Sequence, residues 1–370
     1  MNHEKNDVVL LANKYSMAFA QNIFEILKNK DINFSLESID SKSYPDGNRF
    51  VQVGQNVRNN PVFVIQSYVV KKPLRGNWDL LLTADALKRC GAKNFKFFVS
   101  YMDGRQDTKK DGRVAITAKM VADLLDTAGG RRYEGFSTVN MHSPQQMGFF
   151  DVSADNLDAM PLFGWYIKNK LFKKYYDKKI VNENLVVVSP DAGRNDHARR
   201  FSELLGCGFS CADKTRSVFD KGCESKISGV GGDLRGKIAL IIDDIFDSGG
   251  TLEGNAKFLK KENGVKDIYC FFTHCLASEK KGVKAEDRMK KIGVKAITTD
   301  TVPRDKEYLN ENKDWLIAVL SVSPIVAEFI YRDVKGLSVS EMFRDERIIE
   351  ELLKNLDQKL FLKEAPYDGI

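Results

Sequence analysis

The sequence of 370 residues is short of the features that mark secreted, zinc-stapled and membrane proteins. Its six cysteines are too few to cross-link a chain of this length, and none belongs to a Cys-x-x-Cys pair, which argues against a disulfide framework and against a zinc site. No apolar run approaches the length of a membrane span, and the amino-terminal segment has neither the basic stretch nor the cleavage site of a signal peptide. We therefore expect reduced thiols, a cytoplasmic location and no membrane partner.

An excess of charge of one sign is also absent. With 57 Lys and Arg against 51 Asp and Glu, the formal net charge is only +6, and the lysines are dispersed apart from short clusters such as 168–179. An anionic small substrate and solvated faces explain this balance more simply than a nucleic-acid surface does, so we expect no nucleic-acid partner. The hydrophobic content of 43% and charged content of 29% are ordinary for a globular chain long enough for two domains.

Short apolar runs alternate with helical patterns nearly throughout the chain. This alternation predicts an α/β fold of two doubly wound parallel-sheet domains, with ligand sites at the carboxyl ends of the strands. We place an N-terminal α/β domain at 1–164, completed by 322–343, and a C-terminal α/β domain at 165–321. An apolar helical stripe predicts a helical extension over 344–370.

The helix predicted over 116–127 has large apolar residues on one face, and we expect that face to be buried. These residues are Ile116, Met120, Val121, Leu124 and Leu125.

The most informative stretch is 238–252, IALIIDDIFDSGGTL. Its apolar run 238–242 predicts a buried parallel strand, and Asp243 and Asp244 stand where this strand is expected to end. The glycines of the next loop let the backbone approach a phosphate, and the helix predicted from Leu252 presents its first amides to an anion. The two carboxylates suit the vicinal hydroxyls of a ribose. We therefore predict a ribose-phosphate site formed by Asp243, Asp244, Asp247, Ser248, Gly249, Gly250 and Thr251.

The polar loops together resemble those of one enzyme family, ribose-phosphate diphosphokinase or phosphoribosyl diphosphate synthetase, from about Leu11 to about Phe343. The segments that carry the resemblance include SYPDGNRFV (43–51), GRQDTKKDGRVAITAK (104–119), MHSPQQMGFFD (141–151), VVVSPDAGR (186–194), DKTR (213–216), DDIFDSGGT (243–251) and TDTVP (299–303). Phosphoribosyltransferases share the 238–252 stretch but lack the N-terminal set.

The resemblance implies two domains of the phosphoribosyltransferase type, the first binding ATP and the second binding the phosphoribosyl group. It implies ATP and ribose 5-phosphate as partners, Mg²⁺ as the cofactor, and a homo-oligomer that is a dimer-based hexamer. In the family, the Asp46-Gly47 loop reaches the ATP site of an adjacent subunit, and the Arg105-Gln106 pair contacts adenine. The ATP-binding residues implied in this way are Asp46, Gly47, Asn48, Arg105, Gln106, Asp107, Lys109 and His142.

The same resemblance assigns the phosphate chemistry. His142 and Asp191 help to place Mg²⁺, His142 either directly or, because Mg²⁺ prefers oxygen ligands, through a bound water or a phosphate. Lys214 and Arg216 follow a strand-like segment and precede a stretch, 217–233, that we interpret as a mobile flap; we predict that they neutralise charge as AMP leaves. A diphosphate loop is formed by Asp191, Gly193 and Arg194.

Three positions depart from the family pattern. Asn48 replaces an acid after Asp-Gly, Asn140 replaces an acid two residues before the histidine, and Gly193-Arg194 replaces a double glycine. The added guanidinium lies beside the transferred diphosphate or beside the acceptor, so it is expected to change the affinity or the acceptor itself.

These departures leave three functions open. The first is transfer of the β,γ-diphosphoryl group of ATP to the anomeric 1-hydroxyl of ribose 5-phosphate, with AMP as the leaving group. The second is the same transfer to a larger 5-phosphoribosyl acceptor such as ADP-ribose, in NAD salvage or rebuilding. The third is a non-catalytic regulatory relative, against which the intact Asp191, Lys214, Arg216 and 247–251 loop argue.

Overall fold

The computed structural model of the protein describes residues 8–68, 73–108, 112–190, 192–215, 226–230, 233–354 and 363–364. The described residues divide into two compact units. Unit 1 lies within Met1–Ala159, Thr301–Pro303 and Val322–Ile348, and unit 2 lies within Met160–Asp300, Arg304–Ser321 and Ile349–Ile370. In the described ranges, no helix is both long enough and apolar enough to cross a membrane.

Each unit is built around one sheet. The strands of unit 1 are β1 (Val8–Asn13), β2 (Phe34–Ser43), β3 (Arg49–Val53), β4 (Pro61–Gln66), β5 (Asn94–Val99), β6 (Tyr133–Val139) and β7 (Ser153–Leu157). The strands of unit 2 are β8 (Leu185–Ser189), β9 (Gly208–Thr215), β10 (Lys226–Val230), β11 (Ile238–Phe246), β12 (Asp267–Cys275), β13 (Lys295–Thr299), β14 (Leu316–Leu320) and β15 (Lys363–Glu364).

Helices connect the strands. In chain order they are α1 (Met17–Leu27), α2 (Pro73–Cys90), α3 (Thr117–Gly129), α4 (Met160–Tyr166), α5 (Lys173–Asp177), α6 (Val181–Asn184), α7 (Asn195–Leu205), α8 (Gly250–Lys261), α9 (Ala285–Ile292), α10 (Lys306–Glu311), α11 (Ser323–Lys335), α12 (Val339–Arg344) and α13 (Glu346–Lys354).

The sheet topology confirms the predicted fold class. The strand order is β3-β2-β1-β4-β5-β6-β7 in unit 1 and β10-β9-β8-β11-β12-β13-β14-β15 in unit 2. All pairings are parallel except those of β3, β10 and β15 at the sheet edges. The strand order reverses between β1 and β4 in unit 1 and between β8 and β11 in unit 2. In doubly wound folds, ligands bind at such a switch point, beside the carboxyl ends of the strands.

The switch point of unit 1 is filled by its own polar side chains. The Asn13 amide donates to the Gln66 side-chain oxygen at 3.5 Å, and the Ser16 hydroxyl donates to the Asn13 side-chain oxygen at 3.1 Å. The Ser67 amide donates to the Ser16 hydroxyl at 2.9 Å, and all four residues are buried. These hydrogen bonds use part of the polar capacity of this edge, although among the described residues the Ser67 hydroxyl has no hydrogen-bond partner.

Strand β11 runs further than predicted. We expected it to end at Ile242, but it continues to Phe246 because β12 remains paired with it, Ile245 opposite His274 and Phe246 opposite Cys275. The next helix, expected from Leu252, begins at Gly250. The acids Asp243 and Asp244 are therefore strand residues, and the turn to the helix is only three residues long.

The apolar face of α3 is buried only in part, at Leu125 and at the half-buried Val121. Ile116, Met120 and Leu124 are 36%, 53% and 45% exposed. The buried residues of the helix are Ala118, Ala122, Leu125 and Gly129. Small residues let the helix approach the sheet closely: a Cβ added at Gly129 would lie 2.4 Å from the Tyr133 Cβ. The large apolar side chains consequently form an exposed face.

This arrangement predicts opposite outcomes for adjacent leucines. Leu125→Ala should lower the free energy of unfolding by about 2–5 kcal/mol, because it leaves a cavity in the core. Leu124→Ala should cost about 0.5 kcal/mol or less, as surface substitutions do. Urea unfolding followed by circular dichroism measures both, and an equal loss for the two variants would show that the α3 face is covered in solution.

Candidate active site

The two acids of β11 share one guanidinium. Arg194 Nη2 lies 2.5 Å from Asp244 Oδ1, and Arg194 Nε lies 3.4 Å from Asp243 Oδ1. The backbone amide of Asp244 also donates to Asp243 Oδ1 at 2.9 Å. Asp244 is buried and Asp243 is half-buried, so both carboxylates are partly removed from water. Two negative charges thus meet one positive charge at the carboxyl end of the central strand.

This imbalance is visible in the protonation of Asp243. Burial raises the pKa of the Asp243 carboxyl well above its usual range, and the neighbouring Asp244 carboxylate raises it further. The Arg194 guanidinium lowers this pKa but does not offset the other two effects. Asp243 is therefore poised to gain from a ligand that donates hydrogen bonds or from a cation.

The loop Asp247 to Thr251, which the sequence predicts to bind a phosphate, lies at the same edge. Gly249 has a φ of +73°, and a Cβ there would lie 2.9 Å from Met289 Cε, so only glycine fits. Gly250 begins α8, whose first backbone amides have no partner within the helix. A cavity of about 160 Å³ is lined by Asp243 and by the whole 247–251 loop. The structure therefore brings together the seven residues predicted for the ribose-phosphate site except Asp244, which lies behind Asp243 on the opposite face of the strand.

The diphosphate loop follows β8, the strand beside β11. Gly193 and Arg194 lie in a single helical turn, Ala192–Arg194, while Asp191 lies outside the described residues. The carbonyl of Pro190 accepts a hydrogen bond from the side-chain amide of the buried Asn255 in α8 at 2.9 Å. This bond joins the loop after β8 to α8. Both loops border the open switch point of unit 2.

The catalytic assignments are only partly described. Lys214 lies within β9 rather than after it, because β9 extends to Thr215 by pairing with β10, where Ile227 is opposite Lys214. Arg216 lies outside the described residues, and within the predicted flap, 217–233, the structure describes β10 and residue 233. The role of Lys214 and Arg216 stays a prediction.

In unit 1, the Asp46-Gly47-Asn48 loop is an exposed turn between the antiparallel strands β2 and β3. The Asn48 backbone amide donates to Asp46 Oδ1 at 3.0 Å, and its side-chain amide donates to Asp46 Oδ2 at 2.8 Å. These bonds lower the pKa of the Asp46 carboxyl. The Asn48 side chain thus adds a hydrogen bond to Asp46 that a carboxylate at position 48 could not donate.

The other nucleotide loops follow β5 and β6, which are adjacent in the sheet. Arg105 and Gln106 are exposed on the first loop, and Lys109 lies outside the described residues. Hydrogen bonding with Ser143 and the charge of His142 lower the pKa of Asp107, so the two loops meet through these residues. Ser143 was not singled out from the sequence, although it directly follows His142 in the HSPQQ motif.

Asn140 has a structural reason to differ from an acid. Its backbone has a φ of +39°, a region in which Asn is tolerated better than most residues. Its side-chain amide donates to Asp158 Oδ1 at 3.1 Å, and its side-chain oxygen accepts from the Ala159 amide at 3.0 Å. A carboxylate could not donate to Asp158, so Asn140 is needed to connect β6 to the segment after β7.

The metal-ligating side chains described in unit 1 suit Mg²⁺ only if phosphate oxygens complete its coordination. Across the part of the chain that the structure describes, no three His, Cys, Asp or Glu side chains converge as metal ligands. Mg²⁺ is commonly held by one or two carboxylates and completed by waters and substrate phosphates. The ionised Asp107 beside His142 fits such an ion, arriving with a nucleotide.

The fold and the 247–251 loop place the chain in the class of doubly wound α/β proteins with an anion-binding loop at the carboxyl edge of the sheet. Residues 8–129 match the N-terminal domain of ribose phosphate pyrophosphokinase, and residues 220–344 match the phosphoribosyl synthetase-associated domain. The chain belongs to the ribose-phosphate pyrophosphokinase family, which confirms the predicted resemblance and the prediction of an enzyme.

Individual relatives cover most of the chain. It is 37% identical over 303 residues to the ribose-phosphate pyrophosphokinase of Aquifex aeolicus, covering 81% of this chain and 89% of the relative. It is 33% identical over 341 residues to that of Fusobacterium nucleatum, covering 91% and 98%. The crystal structure of phosphoribosylpyrophosphate synthetase from Mycobacterium smegmatis aligns with a TM-score of 0.75 and 30% identity, covering 90% of this chain and all of that one.

The raised pKa of Asp243 predicts that removing its charge stabilises the folded protein. The pKa of Asp243 is higher in the folded than in the unfolded protein, where it is about 3.9. The free energy of unfolding therefore falls as the pH rises from the unfolded pKa through the folded one, because Asp243 must ionise in the folded protein. Asp243→Asn should therefore raise the Tm at about pH 8 by at least about 2 °C, with the gain shrinking towards pH 5. Asp244→Asn should lower the Tm instead, because it removes the closer, buried partner of Arg194. A pH-independent effect of Asp243→Asn, measured by differential scanning fluorimetry, would contradict the account.

Proposed function

We propose that the chain transfers the β,γ-diphosphoryl group of ATP to the anomeric 1-hydroxyl of ribose 5-phosphate, giving 5-phosphoribosyl 1-diphosphate and AMP. The observation that carries this proposal is the open switch point of unit 2, where a half-buried acid and a helix-start anion loop line one cavity. The family relationship supports the same activity, since the relatives described above are named for it.

In this proposal, the 5-phosphate binds the amides of the 248–251 loop and the start of α8. The ribose hydroxyls donate hydrogen bonds to the half-buried carboxylate of Asp243. These bonds compensate for its weak pairing with Arg194. The diphosphate loop, of which the structure describes Gly193 and Arg194, borders the same edge. Only neutral hydroxyls or a cation suit this pair, because a second anion beside it would be repelled.

The remaining roles concern ATP. We assign nucleotide binding to an N-terminal ATP-binding domain, 1–164 completed by 322–343, through Asp46, Asn48, Arg105, Gln106 and Asp107, with Lys109 and His142. Lys214 and Arg216 neutralise charge on the bridging oxygen as AMP departs, which lowers the barrier only if their interaction strengthens in the transition state.

Mg²⁺ completes the proposal as a cofactor held near the phosphates by His142 and Asp191, with Asp107 beside His142. When bound, it withdraws charge from the phosphoryl oxygens. Asp107 is kept ionised by its hydrogen bonding, so it offers an oxygen ligand at neutral pH.

Arg194 favours a second candidate function. Its guanidinium spans Asp243 and Asp244, so an acceptor that carries further phosphates, such as ADP-ribose, could draw Arg194 towards itself and free both acids. Ribose 5-phosphate has fewer charges with which to do so. The reaction type would be unchanged.

We also propose that the active form is a homo-oligomer, a dimer-based hexamer, working in the cytoplasm. The Asp46 turn is exposed and internally hydrogen-bonded, which suits a loop that reaches into an adjacent subunit in a preset shape.

The reaction type is tested by its nucleotide product. The full chain incubated with ATP, Mg²⁺ and ribose 5-phosphate should produce AMP and a diphosphorylated sugar in equal amounts, identified by mass spectrometry. ADP-ribose in parallel tests the second candidate. Steady formation of ADP with either acceptor would contradict diphosphoryl transfer, and no product with both would favour a regulatory relative.

The role of Lys214 is tested by truncation. Lys214→Ala should lower kcat by on the order of 10²–10⁴-fold with little change in the KM for ATP, because the charge acts mainly in the transition state. Lys266→Ala, an exposed lysine of unit 2, is the matched control and should behave as the wild type. A kcat near that of the wild type would remove Lys214 from the mechanism, and an equal loss of ATP affinity would make it a ground-state ligand.

A further inference from the structure

Arg304, which follows β13, is a half-buried cation tied to backbone carbonyls rather than to an acid. Its Nη2 donates to the Cys275 carbonyl at 2.7 Å and to the Leu276 carbonyl at 2.5 Å. Its guanidinium also stacks over the ring of Tyr308 in α10, 4.3 Å from the ring centroid. Arg304 therefore fixes the chain where it leaves β12.

The segment that Arg304 holds supports the anion loop. The amides of Leu276 and Ala277 donate to the Phe246 carbonyl at 2.8 and 3.0 Å, and the Ser278 amide donates to the Asp247 carbonyl at 3.1 Å. Phe246 and Asp247 are the residues at which β11 turns into the 247–251 loop. The Phe246 ring also packs on Gly249, where an added Cβ would lie 3.2 Å from Phe246 Cε2.

The same segment is strained. Ala277 has a φ of +50°, in the left-handed region that is unfavourable for a non-glycine residue. Such a conformation persists only where the surroundings hold it. The hydrogen bonds from Arg304 to the two preceding carbonyls, with those from residues 276–278 to β11, provide that restraint.

We propose that Arg304 is a positioning residue for the anion loop and that, through residues 275–278, it sets the affinity for the phosphate of the acceptor. This inference rests on the proposed function, because it takes the 247–251 loop to bind the 5-phosphate of ribose 5-phosphate. Arg304 itself contacts no reacting atom in this scheme.

The test compares Arg304→Met, which keeps the aliphatic stem and loses the donors, with Arg304→Lys. The KM for ribose 5-phosphate should rise about tenfold or more in Arg304→Met, with kcat at saturating acceptor and the KM for ATP within about threefold of the wild type. Arg304→Lys keeps a donor and should give a smaller rise. Calorimetric titration with ribose 5-phosphate in the absence of ATP should show the same order of affinities.

Arg332→Met is the control for a general loss of stability. Arg332 is also half-buried and donates to a backbone carbonyl, that of Ser338, at 2.9 Å, but it is in addition paired with Glu328 Oε1 at 2.9 Å and belongs to unit 1. It should lower the Tm as Arg304→Met does while leaving the KM for ribose 5-phosphate unchanged. Ala277→Gly placed in the Arg304→Met background should recover part of the acceptor affinity, because glycine adopts a positive φ without strain.

Each outcome bears on the inference. A lower Tm with unchanged affinity for ribose 5-phosphate in Arg304→Met would overturn it, and so would parallel losses for ATP and acceptor. Should the wild type bind ribose 5-phosphate but form no AMP, the proposed reaction fails, while weaker calorimetric binding by Arg304→Met still supports the positioning role. If Arg304→Met does not fold, the binding of Arg304→Lys and its recovery by Ala277→Gly decide the question.

Discussion

One guanidinium facing two carboxylates is the interaction on which the ligand edge of unit 2 depends. Arg194 is closer to the buried Asp244 than to Asp243, so one acid is well paired and the other is not. Desolvation makes an underpaired carboxylate costly, as the raised pKa of Asp243 shows. A ligand that donates a hydrogen bond to Asp243 would therefore stabilise this edge. The free protein is less stable at the position where the ligand is proposed to bind.

The two sheets show how the same architecture is used in different ways. Both have a switch point, but in unit 1 Asn13, Ser16, Gln66 and Ser67 hydrogen-bond to one another there. In unit 2 the corresponding edge carries the cavity beside the 247–251 loop. The predicted nucleotide residues of unit 1 lie on loops elsewhere, after β2, β5 and β6. Among the described residues, a polar cluster thus occupies one switch point and a cavity occupies the other.

Much of this could be predicted from sequence because local patterns carried it. Buried strands such as β6, β8 and β13 are short apolar runs, as the alternation in the sequence predicts, and the glycines of the 247–251 loop reveal a tight strand-to-helix turn. The features that could not be predicted from the sequence depend on tertiary contacts. The length of β11 depends on β12, the exposed face of α3 depends on the space left by Ala118, Ala122 and Gly129, and the pairing of Arg194 with Asp243 depends on β8 lying beside β11. The partner strands β12 and β8 are distant from the residues they affect, and the small residues of α3 become informative only once the sheet beside them is known.

Eight of the residues that line the cavity of unit 2, Asp243 and Ile245 to Thr251, lie within nine consecutive residues of one strand, turn and helix start. The residues of unit 1 that are predicted to bind the nucleotide are instead spread over loops after β2, β5 and β6. The geometry of the unit 2 segment therefore needs only one strand and one helix to be in place, whereas that of the unit 1 set needs most of a sheet.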